Sequence, residues 1–205
     1  MNTAIRAAAE TLRSVLLATM QADPILKLLF TGSGTSVVSL GNPDEMNDGG
    51  ESGISLWLYR IERDDQRLNA PPERVAPNRI RPTPLPVRLH FLVCPMIGSD
   101  GSAVPVATRH HVLGAILQTF HETPLVSGAL LSGDYSGTSV ELAVRLENPG
   151  LEEIARLWDS LDAGYTLSVA YEVGIVSIET TAPDPLGPPV TIALPEYGVA
   201  EAAAI

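Results

Sequence analysis

Three of the four histidines in this 205-residue chain lie in one stretch, RHHVLGAILQTFHETPLVSG, at positions 109–128. Clustered imidazoles are typical of metal sites and of proton transfer. On a helix, however, His110 and His121 lie roughly 16 Å apart along the axis, whereas a metal ion binds imidazole nitrogens at about 2.0 to 2.1 Å. His110 and His111 are adjacent and point about 100° apart. A metal site here would need His90 or a carboxylate from elsewhere in the fold.

The same stretch carries an apolar pattern that favours a packing helix. Its larger apolar side chains follow the i, i+3, i+4, i+7 spacing of one helix face: Leu113, Ile116, Leu117 and Phe120. We therefore predict a helix that packs against the core. One alternative stays open, in which the three histidines act with an acidic loop as a small metal-dependent hydrolase.

Other candidate sites are weaker still. The single cysteine, Cys94, excludes an intramolecular disulfide, and on a strand it would stand about 13 Å from His90. We therefore predict a buried structural thiol rather than a nucleophile with a base. The acidic segment 44–55 has Met46 and Ser55 where a calcium loop requires oxygen ligands, so we predict an acidic turn. The sequence thus predicts no catalytic residue, no metal ligand and no cofactor.

Hydrophobic periodicity predicts the elements that must position these residues. Helical spacing predicts an amphipathic helix over residues 3–20, a short helix in PILKLLF, the histidine helix, and a helix in PGLEEIARLWDSL. Alternation predicts strands in SVVSL, ISLWLYRIE, PVRLHFLVCP, TSVELAVRLE and YTLSVAYEVGIVSIE. Both faces of ISLWLYRIE are apolar, so we expect this strand to be covered on both sides. The inward side chains predicted for the next two strands are Val87, Leu89, Phe91 and Val93, and then Val140, Leu142, Val144 and Leu146. We expect an α+β fold in a single domain over residues 1–180, with a mixed or antiparallel sheet packed by about three helices.

The net charge and the distribution of apolar residues disfavour nucleic acid and membranes as partners. The formal net charge of -11 argues against nucleic acid or an anionic membrane, because both attract positive surface. The sequence has no continuous run of about 18 apolar residues, so we expect no membrane insertion. Arg6, Glu10 and Arg13 interrupt the segment where a signal peptide would be apolar. We expect a protein of the bacterial cytoplasm.

A long arm rich in proline and arginine contrasts with the acidic remainder. Six prolines lie between Pro71 and Pro86, which excludes a regular helix and disfavours a central strand. Between positions 60 and 88 the sequence has seven arginines and only four acidic residues. We predict an extended arm or ordered loop whose Arg74, Arg79 and Arg81 bind an acidic neighbour, including a second copy of the chain. The alternative is a solvated loop with intramolecular ion pairs.

Composition changes again after Thr180. Residues 181–205 are proline-rich and predict an extended C-terminal tail rather than a core element. Within it, Val190, Ile192 and Leu194 alternate, so this short segment could pair as a strand with another chain. We predict that these three residues contact a neighbouring subunit or partner.

Five segments in series resemble a known family. GNPDE with ISLWLYRIERDDQRLNAPP, then RPTPLPVRLHFLVCP, the histidine stretch, and IARLWDSLDAGYTLSVAYEVGIVSIE resemble the tail-terminator (cap) proteins of phage-tail-like contractile injection systems of the antifeeding-prophage and virulence-cassette type. The resemblance spans about Ala4 to Glu179. It departs in the segment 44–53 and in the tail, which are the variable parts of the family.

The resemblance implies a structural protein rather than an enzyme. Such a subunit assembles as a homo-hexameric ring on the inner tube and the last sheath layer, ends their polymerisation and closes the particle. The partners implied are therefore other copies of the chain and the tube and sheath proteins. The location implied is the bacterial cytoplasm during assembly and then the particle. An adaptor that recruits cargo or anchors the particle is a further alternative.

Overall fold

The order of helices and strands follows the hydrophobic periodicity. The computed structural model describes residues 2–31, 36–67, 71, 73–76, 79–98, 104–161 and 164–180. Within these residues the α-helices are α1 (Ala4–Ala22), α2 (Lys27–Phe30), α3 (Pro43–Asp48), α4 (Val106–Glu122) and α5 (Leu151–Asp159). The strands are β1 (Ser36–Ser39), β2 (Ser52–Arg63), β3 (Glu73–Ala76), β4 (Arg79–Arg81), β5 (Leu85–Met96), β6 (Leu125–Ser127), β7 (Glu141–Glu147) and β8 (Val169–Ile178).

Six of these strands form one mixed sheet in the order β1-β2-β5-β8-β7-β6. β1 pairs with β2 in parallel, and the other neighbouring pairs are antiparallel. The predicted α+β fold with a mixed sheet is therefore confirmed. The described residues form five α-helices rather than the three or so expected, because α2 and α3 are short helices of four and six residues. No helix among the described residues is long and apolar enough to cross a membrane.

One face of the sheet is covered by α1 and α4. The β5 side chains predicted to point inward are 4% exposed or less: Val87, Leu89, Phe91 and Val93. They share a cluster with Leu12 and Leu16 of α1 and with Ile116 and Phe120 of α4. α1 presents small residues to this cluster, including fully buried Ala8, so the helix backbone can approach the sheet closely. This cluster is the main core.

The opposite face is only partly covered. Leu92 and Cys94 of β5 pack there with Trp158 of α5 and Met46 of α3, and Trp57 of β2 packs against this second cluster. The prediction that β2 is covered on both faces is thus confirmed for its first half. Beyond this cluster the same face carries charged side chains, described below.

Two apolar side chains expected in the core are exposed. Leu117 of α4 is 37% exposed and Leu146 of β7 is 53% exposed. Both border an open groove of about 210 Å³ between the end of α4 and the sheet. The helix stripe that packs is broader and shifted from the predicted one, since Val112, Ala115 and Thr119 are buried instead of Leu117. The prediction was wrong for these two side chains because α4 does not extend over the end of β7.

The acidic segment 44–55 contains α3 rather than a simple turn. Asn42 Oδ1 accepts from the Glu45 backbone N–H at 2.8 Å, and Glu45 Oε2 accepts from the Asn42 N–H at 2.8 Å. Pro43 stands at the first helical position, where its missing N–H has no cost. The sequence NPDE has the spacing of a capping box, with Asn42 at the N-cap and Glu45 three residues later, which explains why the segment begins a helix.

The proline-rich arm contains a small hairpin. β3 and β4 pair antiparallel and separately from the main sheet, with Arg74 opposite Ile80 and Glu73 opposite Arg81. The prediction of an extended arm or ordered loop missed this pairing. It correctly kept the arm out of the central sheet, where proline would remove backbone hydrogen bonds.

Candidate functional site

The helix histidines do not converge. His110 and His121 are exposed on α4, whereas His111 is half-buried and its Nε2 lies 3.0 Å from Asp23 Oδ2. Asp23 Oδ1 also accepts the backbone N–H groups of Ile25 and Leu26, both at 2.8 Å. The Leu26 N–H, more than the nearby His111, holds the pKa of Asp23 below its usual value. These contacts join α1, α2 and α4, so His111 has a structural role.

Cys94 lies in the second apolar cluster and is fully buried. Burial raises the pKa of its thiol to about 12. A thiol that stays protonated is a poor nucleophile, so the interpretation of Cys94 as a structural residue is supported.

A row of charged side chains crosses the uncovered part of the second sheet face. Arg60, His90, Glu172 and Arg145 stand opposite one another on β2, β5, β8 and β7. Directly opposed residues of neighbouring strands point to the same face. We call this region the charged sheet face, and it comprises this row together with Glu62, Asp64, Arg88 and Glu147.

Arg88 connects two of the carboxylates. Its Nη1 donates to Glu172 Oε2 at 3.3 Å, and its Nη2 lies 3.5 Å from Asp64 Oδ1. Asp64 is only 3% exposed, so its buried carboxylate requires a positively charged partner, which Arg88 provides. Glu172 and Asp64 together raise the pKa of the Arg88 guanidinium. Through these two ion pairs Arg88 ties the end of β2 to β8.

His90 is the buried imidazole of this face. It is 4% exposed, and its Nδ1 lies 3.0 Å from both carboxylate oxygens of Glu147. Its Nε2 lies 3.3 Å from Glu62 Oε2 but makes no hydrogen bond of acceptable geometry. The ring edge contacts Tyr59 at a centroid distance of 6.2 Å. Burial, followed by the charge of Glu147, raises the pKa of Tyr59 to about 12.

An open groove of about 510 Å³ runs beside Glu172 and Arg88. Arg67 and Arg145 also line it, together with the buried Asp64. Its lining mixes both charges and includes Ser139, but no histidine among the lining residues could activate this hydroxyl. A lining of both charges is suited to binding charged groups.

Three of the residues predicted as an interface lie on the separate β3–β4 pair rather than in the main sheet. Arg74, Arg79 and Arg81 are exposed on the β3–β4 hairpin. The other three, Val190, Ile192 and Leu194, lie outside the described residues.

Sequence reasoning missed the convergence of His90, Glu147 and Glu172. A signal was present, because the alternation of TSVELAVRLE puts Arg145 on the polar face and Glu147 two residues further on the same face. Glu172 meets His90 and Arg145 because β8 lies between β5 and β7, and no local pattern in the sequence indicates this strand order.

These features define a class of protein. It is an α+β domain whose main apolar core lies on one sheet face, whose other face carries a smaller apolar cluster and the charged sheet face, and which has an exposed arginine-bearing hairpin. The chain belongs to the Pvc16 N-terminal domain family, whose model matches residues 7–192. The resemblance to tail terminators of contractile injection systems is thereby confirmed.

Two solved structures share the fold. The anti-feeding prophage cap, described as a tube-terminating cap, aligns with a TM-score of 0.56 and 17% identity over 88% of this chain and 58% of its own. The sheath/tube terminator of the PVC extracellular contractile injection system, in its extended state, aligns with a TM-score of 0.54 and 19% identity over 93% of this chain and 64% of its own. The chain thus spans about three fifths of each. No curated protein matches the sequence.

Proposed function

We propose that this chain is a structural terminator subunit of a contractile injection system. It assembles into a homo-hexameric ring that ends tube and sheath polymerisation and closes the distal end of the particle. The observation that carries the proposal is the family match over residues 7–192. The same fold occurs in a tube-terminating cap and in a sheath/tube terminator.

The surface chemistry supports a ring. A closed ring needs two different patches that contact each other head to tail. The β3–β4 hairpin presents exposed Arg79, whereas α3 and α5 present exposed carboxylates such as Asp48 and Asp159. With a net charge of -11, the rest of the molecule offers an acidic surface for a basic hairpin. We propose that Arg74, Arg79 and Arg81 contact the next subunit.

Exposed apolar side chains offer contacts of a second kind. Leu28 is 72% exposed and Ile25 63% exposed beside α2, and Leu151 is 81% exposed at the start of α5. Exposed apolar side chains that form a contiguous patch are typical of interaction surfaces, and Ile25 and Leu28 are three residues apart. These positions are available for tube and sheath proteins, and they support a role through interfaces rather than catalysis.

Electron microscopy of the purified protein tests this role. We expect closed rings, and we expect that adding them during polymerisation of the cognate tube protein gives short tubes with a density at one end. Bovine serum albumin at equal mass concentration serves as a control for crowding. Tubes of unchanged length without an end density would contradict the proposal.

The segment 181–205 is proposed as a tail that acts between chains. We propose that Val190, Ile192 and Leu194 add a strand to a neighbouring subunit or to the sheath, since an added strand gains affinity from main-chain hydrogen bonds and specificity from its alternate side chains. A chain that ends at Thr180 is expected to cap fewer tubes than the full chain, counted in negative-stain images. Equal capping by the two chains would show that the tail has no such role.

A further inference from the structure

We propose that His90, Glu147 and Glu172 bind one divalent transition-metal ion, such as Zn²⁺, on the charged sheet face. The site differs from the histidine cluster considered from the sequence, and it departs from the expectation that the chain has no metal ligand. It does not depend on the terminator role.

The three ligand atoms lie close together. One nitrogen of His90 and one carboxylate oxygen from each glutamate all lie within 4.8 Å of one another. Two ligands of a single zinc ion, with bonds of about 2.1 Å, are separated by at most about 4.2 Å. Rotation of the glutamate side chains is enough to close the difference. The scaffold is rigid, because the residues come from the adjacent strands β5, β7 and β8.

The surroundings of His90 fit a metal ligand. A neutral imidazole has one N–H and one lone pair, and both ring nitrogens face carboxylates. With an ion on Nδ1, the proton resides on Nε2, and a small reorientation of Glu62, whose Oε2 is 3.3 Å away, would let this carboxylate accept it. A carboxylate that orients the other nitrogen is the usual outer partner of a metal-bound histidine. This arrangement also gives Nε2, which is buried without a hydrogen bond, a defined role.

Arg88 provides a second outer contact. It holds Glu172 Oε2 at 3.3 Å, whereas Arg145 Nη1 is 4.0 Å from Glu172 Oε1. One oxygen is thereby fixed and the other is held only weakly, so it can bind an ion. The groove beside Glu172 admits water to complete the coordination.

The charge count favours a divalent ion. Ion pairs and the His90 contacts join these groups into one network, in which Arg60 bridges Glu62 and Glu153. Among the described residues the network has two more carboxylates than guanidiniums: Glu62, Asp64, Glu147, Glu153 and Glu172 against Arg60, Arg88 and Arg145. An ion of charge +2 neutralises this excess at a partly buried place, where unpaired charge is costly. One nitrogen and two oxygens suit Zn²⁺ or Mn²⁺.

Calorimetric titration of the chelator-treated full chain with Zn²⁺ tests the site. We expect one ion per chain and a higher melting temperature with the ion present. Glu147→Gln and Glu172→Gln are each expected to weaken binding by about 10-fold or more. Glu141→Gln, the same substitution at an exposed position of β7, is the matched control and should bind as the unmodified chain does.

Circular dichroism of the ion-free variants verifies that each is folded, because the carboxamides preserve side-chain shape. Co²⁺ gives an independent readout, since its visible absorption changes when a histidine and two carboxylates bind it. Absence of saturable binding overturns the proposal. Binding that is equally strong in the Glu147→Gln and Glu172→Gln variants also overturns it, because the ion then binds elsewhere.

Discussion

Gly53→Ala is expected to lower the free energy of unfolding by about 3 kcal/mol or more. Gly53 lies in β2 with φ of +146°, a conformation that side chains disfavour by about 1 to 3 kcal/mol. A Cβ atom there would stand 1.9 Å from the carbonyl oxygen of Val37 and 2.6 Å from its nitrogen. Both are backbone atoms of β1, which pairs with β2 in parallel at this point. The substitution must therefore displace β1, and denaturant unfolding measures the loss.

Gly114→Ala is the matched control for this prediction. Gly114 is exposed on α4, and a Cβ atom there would meet nothing within 4 Å. Alanine in place of glycine inside a helix is expected to stabilise by about 0.5 to 1 kcal/mol. The two substitutions thus have opposite expected signs. If Gly53→Ala lowers the free energy of unfolding no more than Gly114→Ala does, β1 shifts without cost.

Replacing Arg74, Arg79 and Arg81 together by glutamate is expected to convert the proposed ring to smaller species. The three side chains are exposed on the β3–β4 hairpin, and the chain already has a net charge of -11. The substitutions change the charge of the hairpin by six units, so three negative charges would then face an acidic neighbour, and like charges at an interface cost on the order of several kcal/mol. Multi-angle light scattering of the purified variant measures the mass.

Replacement of the same arginines by lysine retains the positive charge and should keep the ring, although with weaker binding where guanidinium geometry matters. Circular dichroism should show that both variants are folded, since the hairpin pairs apart from the main sheet. A ring mass unchanged by the glutamate variant would remove the hairpin from the interface. The fold and the family membership would be unaffected by that result.

Local periodicity predicted the core elements well. The alternation of PVRLHFLVCP assigned Val87, Leu89, Phe91 and Val93 to one face, and all four are buried. Helical spacing excluded a shared ion for His110 and His121, and the structure leaves both exposed on α4. Such predictions succeed because side-chain direction depends only on position along a regular element.

Local patterns failed where the burial of a side chain depends on an element that is distant in the sequence. Leu117 and Leu146 fit their apolar stripes, yet both border an open groove between the end of α4 and the sheet, because α4 does not extend over the end of β7. The hairpin of β3 and β4 was missed because its prolines argue against a strand in the main sheet but not against a separate pair. In each case the missing information was the placement of another element.

The sequence by itself determined the fold class, the family, the two faces of β5 and the poor fit of the helix histidines to a metal site. It could not determine that His90 meets Glu147, which lies 57 residues away along the chain. That contact exists because β8 inserts between β5 and β7, so His90, Glu172 and Arg145 form one row. Periodicity decides which face a side chain occupies, whereas strand order and register depend on the packing of the whole core. Only the tertiary structure therefore decided which charged residues meet.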